Sequence, residues 1–123
     1  MLANETLKSF VPTIKPGEAK IFYRDILGLK LLSEDKYALE FEANGQLLRV
    51  ITVPELKPHQ FTALGWNVKD IKATIKALNE KGVFCEKYDF IEQDDFGAWT
   101  SPSGAKVAWF KDQDGNVLSL TEL

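Results

Sequence analysis

Few residues in this sequence are equipped for bond-making chemistry, and their spacing limits what they can do. His59 is the only histidine, and imidazole is the one side chain whose ordinary pKa suits a general base near neutrality. It stands just after Pro58 and ahead of the strand-forming run Thr62–Val68. There it reads as a solvated loop residue, or as one folded over the mouth of a cleft. Cys85, the only cysteine, lies in a run of alternating polarity with no helix start to lower its pKa, so it reads as a packed thiol rather than a nucleophile. A single loop histidine composes no Ser–His–Asp order, and no glycine-rich loop precedes a helix to cradle phosphate. Tyr23 and Tyr37 would need strongly shifted pKa values to move protons. Glu40 and Glu42 share a strand face; that face is either solvated or, with Glu122 and His59, part of an unorthodox enzyme site.

Recognition chemistry is better supplied. Glu92, Asp94 and Asp95 form an acidic loop leading into Phe96-Gly97-Ala98-Trp99. As a surface run it needs no function. Beside Phe96 and Trp99, however, clustered carboxylates suit a planar cation. Trp66, Trp99 and Trp109 each carry an indole N–H that needs a partner when buried, and at least two of them are expected to serve packing.

Composition narrows the classes. The 123 residues are 45% hydrophobic and 27% charged, with fifteen Lys and Arg against eighteen Asp and Glu, net −3. This describes one ordinary globular domain, or two half-domains sharing a core. No basic run points to nucleic acid, and no stretch of eighteen apolar residues points to a membrane. Met1–Glu5 lacks the basic and apolar regions of a secretory leader. One cysteine makes no internal disulfide, so a cytoplasmic location is expected.

The elements that must position these residues occur in a repeated order. Lys8–Ile14 reads as a strand with an edge proline, and Pro16 opens a helix over 16–27, with Ala19, Phe22, Tyr23, Ile26 and Leu27 on one face. Gly28 closes it. Strands follow at 29–32, 37–42 and 46–53, the last two joined by Asn44-Gly45, a two-residue hairpin signal. A connector, 54–61, leads to a second strand at 62–68 and a helix capped by Asp70, carrying Ile71, Ile75 and Leu78, and stopped by Gly82. Strands are then expected at 83–88, 98–101, 106–111 and 117–120, with turns at Pro102-Ser103-Gly104 and Asp114-Gly115-Asn116. The helix ends recur at an offset of about 54 to 55 residues, the signature of an internal duplication. The fold class is α+β: two tandem strand–helix–strand–strand–strand modules, about 6–53 and 62–123, within one domain. Their curled mixed sheets are expected to carry helices outside and to enclose a ligand cleft.

The residues Phe10-Val11-Pro12-Thr13 through Ala19-Lys20-Ile21-Phe22-Tyr23-Arg24-Asp25-Ile26-Leu27-Gly28-Leu29 resemble the opening module of the vicinal oxygen chelate superfamily. That superfamily includes glyoxalase I, extradiol dioxygenases, and fosfomycin- and bleomycin-resistance proteins. Gly65–Ile71 is similar to its second-module opening. Ala108-Trp109-Phe110-Lys111-Asp112-Gln113-Asp114-Gly115-Asn116-Val117-Leu118 is similar to its closing hairpin, with Gln113 at a usual proline. Metal-dependent members carry His, Glu or Gln ligands on four strands. The resemblance carries those positions onto Lys8, a residue within Arg49–Thr52, Ala63 and Ser119. None is a good ligand for a catalytic Zn, Ni or Fe ion. Lys8 at such a position either holds an anionic ligand or extends into water.

The resemblance therefore implies a metal-independent, small-molecule-binding protein, without cofactor, comparable to the bleomycin-resistance proteins that sequester a drug. A metal-dependent lyase, isomerase or dioxygenase with an atypical site is the alternative. A homodimer is implied. The expected ligand-binding set is Lys8, Phe10, Arg49, Asn67, Asp94, Phe96, Trp99 and Ser119; no catalytic residue is assigned.

Overall fold

The computed structural model describes residues 1–123, which divide into two compact units, Met1–Lys57 and Pro58–Leu123.

In the first unit, strand β1 (Lys8–Thr13) runs parallel to β4 (Gln46–Thr52), and β3 (Ala38–Ala43) pairs antiparallel with both β4 and β2 (Lys30–Glu34), giving the order β1-β4-β3-β2. Asn44 (φ 50°) and Gly45 (φ 78°) both adopt positive φ in the β3–β4 turn, as its sequence predicts. The register separates two faces. Val11, Leu39, Phe41, Leu48 and Val50 are buried on one, where Tyr23 meets Phe41 with ring centroids 5.8 Å apart. The helix differs from its expected form. Pro16–Lys20 (α1) is α-helical, but Ile21–Ile26 is a π-helix, closed by Leu27 N–H donating to Phe22 O. The wider turn buries the adjacent rings Phe22 and Tyr23 together, a demand that apolar spacing alone does not reveal.

The second unit holds a four-stranded sheet of its own. Strand β5 (Thr62–Asn67) is parallel to β8 (Val117–Glu122), and β7 (Lys106–Lys111) lies antiparallel between β8 and the two-residue β6 (Trp99–Thr100). Helix α2 (Ile71–Glu80) buries Ile71, Ile75 and Leu78. Its first turn is capped twice: Asp70 Oδ1 accepts from Ala73 N–H, and Glu122 Oε1 accepts from Ile71 N–H. Ala108, Phe110, Leu118 and Leu120 form the buried face of the sheet.

One expected strand is absent. Val83–Tyr88 has no ladder partner; Val83 N–H donates to Leu78 O, Glu86 N–H donates to Trp109 O, and Tyr88 N–H and Glu86 O are met by a side chain. Gln93 Oε1 accepts from Tyr88 N–H, while its Nε2 donates to Glu86 O and Gly97 O. An amide side chain thus does the work of a neighbouring strand, and alternating polarity cannot distinguish the two. Without that strand, the units share one element order, strand–helix–strand–strand–strand.

Candidate functional site

On the helix-free face of the first sheet, the register brings Phe10 beside Arg49 and Arg49 beside Glu40. Arg49 donates to Glu40 Oε2 at 2.9 Å, and Lys8 Nζ stands 3.7 Å from the same oxygen. Lys8, Phe10 and Arg49 therefore do share one face. Lys8 is exposed to solvent and also stands beside a carboxylate of its own chain. Glu40 is not a solvated carboxylate either: it is the shared counter-ion of two cations.

The matching face of the second sheet carries Gly65 and Asn67 from β5, Trp109 from β7, and Ser119 and Thr121 from β8. A bulge between Thr62 and Leu64 takes Ala63 out of the ladder. Gly65 lets the Ser119 hydroxyl lie close: a Cβ at this position would stand 2.5 Å from Ser119 Oγ and make that hydroxyl rotate away. Asn67 sits beside Thr121 at the strand end, apart from the aromatic residues that gather near Trp109.

Those aromatics form a concavity of about 510 Å³, walled by Phe61, Tyr88, Phe90, Trp99 and Trp109 and completed by Gln60, Thr62 and Ile91. Trp109 is its keystone. Its ring lies 5.7 Å edge-on from Tyr88 and 6.1 Å from Trp99, and its indole N–H donates to Thr62 Oγ1 at 3.2 Å. Tyr88 in turn lies 5.4 Å from Phe90, while His59 stacks on Phe61 at 5.0 Å. His59 thus extends the aromatic rim. Trp66 points to the other face, stacked on Phe110 at 6.4 Å, and serves the core.

Two sequence candidates have structural duties. Asp94 Oδ1 accepts from Phe96 N–H and Ala98 N–H, each at 2.9 Å, which folds the acidic loop back on itself. Phe96 does not join Trp99. Its ring lies beneath the ammonium of Lys72 on α2, 4.9 Å from Nζ to centroid. Glu122 is engaged at the helix start, so the proposed grouping of Glu40, Glu42, Glu122 and His59 loses that member to capping. Phe61, Tyr88, Phe90 and Gln93 escape sequence reasoning. The i, i+2 spacing of Tyr88 and Phe90 signals a shared side, but only the Gln93 clamp turns that side toward Trp109.

Burial pushes the Cys85 thiol from 9.0 up to about 11; nearby Asp94 and Glu86 add to the shift, and Lys87 opposes it. The folded chain therefore favours the protonated thiol. This contribution to stability is complete below the ordinary thiol pKa and is lost as pH rises through about 11. Alkylation of the folded protein by iodoacetamide at neutral pH should run roughly a hundredfold slower than that of an exposed thiol. The rate should climb until pH exceeds about 11. Fast labelling at neutral pH would contradict the packed environment. Gly97 adds to this packing: at φ 99°, a Cβ there would lie 2.7 Å from Cys85 Cβ.

Residues 9–120 match the Glyoxalase/Bleomycin resistance protein/Dioxygenase superfamily. The chain belongs to this superfamily. Among solved structures, it is similar to a lactoylglutathione lyase from Agrobacterium tumefaciens (TM-score 0.76, 14% identity, covering 99% of this chain and 96% of that one). It is similar to a superfamily member from Sphaerobacter thermophilus DSM 20745 (TM-score 0.76, 18% identity, 100% of both chains). A glyoxalase family protein from Enterococcus faecalis also matches (TM-score 0.71, 24% identity, 99% and 100%). These likenesses establish the fold alone. No curated protein sequence matches. No helix is long and apolar enough to cross a membrane.

The superfamily's metal chemistry does not fit the side chains at the matched positions. Lys8 is a cation beside Glu40, the stretch Arg49–Thr52 offers only a guanidinium paired with that same carboxylate and a threonine hydroxyl, Ala63 has no donor atom, and Ser119 offers a single hydroxyl packed on Gly65. No group of three or more His, Cys, Asp or Glu side chains is arranged to hold an ion. A divalent cation placed beside Lys8 and Arg49 would meet repulsion rather than ligands.

Proposed function

We propose that this superfamily member binds a small planar aromatic molecule in the second unit and does not transform it. The observation that carries this reading is the concavity walled by five aromatic rings, whose flat faces favour offset or edge-on packing of another ring. Its polar groups are ill-suited to catalysis. The Thr62 hydroxyl receives the Trp109 N–H. The Tyr88 hydroxyl is pushed above its ordinary pKa by burial and then by Glu86, which keeps it protonated near neutrality. No nucleophile paired with a base lines the wall.

The reading extends to a sequestering, resistance-type role in the cytoplasm, with the chain as a homodimer. A thermal-shift screen tests the central part. Planar aromatic compounds should raise Tm in proportion to the logarithm of their concentration above Kd, and Zn²⁺ or Ni²⁺ should leave it unchanged. Stabilisation by either metal, with no response to any aromatic compound, would overturn the proposal in favour of a metal-dependent lyase, isomerase or dioxygenase.

A further inference from the structure

Building on that binding reading, we infer that the preferred guest is an aromatic cation, with its ring among Trp99, Trp109 and Tyr88 and its positive group toward Glu92. The aromatic concavity shares part of its wall with a second, more open depression of about 550 Å³. The two share Phe90, Ile91 and Trp99, and the second adds Glu92, Gln93 and Asp94. Across both surfaces the lining includes two carboxylates and no Lys, Arg or His. Ring faces are themselves electron-rich, so the walls and the rim favour the same sign of charge.

The nearby cations of the chain are each engaged by other groups. Lys87 bonds the backbone carbonyl of Asp94 rather than its carboxylate, Lys111 pairs with Glu86 at 3.1 Å, and Lys72 covers Phe96 on the helix side. Glu92 is exposed at the rim. The side-chain amide of Gln93, lying between Glu92 and Asp94, is fully engaged in holding the loop. It is therefore committed to position and contributes no competing donor. A neutral ring gains only stacking at this surface; a ring bearing a delocalised positive charge gains attraction from both depressions.

Isothermal titration of the full chain with three planar probes tests this: proflavine, a cation at neutral pH; acridine, its largely neutral relative; and anthracene carboxylate, an anion. Proflavine should bind at least about fivefold more tightly than acridine, with anthracene carboxylate weakest. Glu92→Gln should narrow the proflavine–acridine gap, as should raised salt, and Trp99→Ala should weaken proflavine binding. Equal or inverted affinities that still fall in Trp99→Ala would overturn the charge preference while leaving the aromatic site standing. Proflavine binding indifferent to Trp99→Ala would place the cation elsewhere and overturn the inference. If no probe binds, both this inference and the binding reading beneath it fail.

Discussion

Trp109→Ala should lower affinity for a planar aromatic ligand by about thirtyfold or more, equivalent to about 2 kcal/mol. The effect is large because the indole supports three walls at once. It packs edge-on against Tyr88, lies beside Trp99, and fixes Thr62 through its N–H. Its removal takes away ring area that a guest would cover and also frees the neighbouring rings to rotate. Trp109→Phe separates these contributions. It keeps a ring against Tyr88 but gives up the hydrogen bond to Thr62, so affinity should fall by only a few-fold. Titration of ligand into both variants, with circular dichroism to confirm the fold, provides the comparison. Equal affinity in the alanine variant and the parent would remove Trp109 from the site.

The second large effect concerns stability. Asp112 is 7% exposed, and its carboxylate accepts hydrogen bonds from Asp114 N–H and Asn116 N–H at Oδ1 and from Asn116 Nδ2 at Oδ2. These bonds shape the turn between β7 and β8, where Gly115 takes φ 88° with Pro58 packed over it. Asp112→Ala would leave all three donors without that acceptor in a largely buried turn. A loss of about 3 kcal/mol is expected, a fall of roughly 10 °C in Tm for a chain of this size. Asp112→Asn keeps an acceptor at Oδ1 but presents an amide to Asn116 Nδ2, so it should fall between parent and alanine. Urea denaturation measures both. Unchanged midpoints would show that the turn holds its shape without the carboxylate.

That turn also shows what the sequence made legible. The Asp-x-Asp-Gly-Asn pattern is local: each residue acts within four positions of Asp112, so spacing alone marks the turn. The Asn44-Gly45 hairpin, the Asp70 cap and the Gly28 and Gly82 helix ends are local in the same sense. Strand parity also carried real information, since Lys8, Phe10 and Arg49 do share the helix-free face. What escaped depends on contacts distant in sequence or on competition between side chain and backbone. Nothing around Val83–Tyr88 announces that Gln93 will take the hydrogen bonds a strand would use. Glu122 shows the long-range case, reaching back 51 residues to Ile71 N–H. Phe96 and Trp99 sit three residues apart, yet Gly97 at positive φ and the Asp94 loop send their rings to different environments. The spacing suggested a pair; the backbone reversal between them prevents one.

The replacement of a ladder by the Gln93 clamp has an evolutionary corollary. A residue exchanged within a sheet must satisfy its cross-strand neighbours, so drift there is constrained by every paired strand. Tyr88, Phe90 and Ile91 hang instead from a loop held by the Gln93 amide, the Asp94 carboxylate and the bond from Glu86 N–H to Trp109 O, outside any strand ladder. Selection can rewrite this wall, residue by residue, to accommodate new guests while the scaffold remains intact.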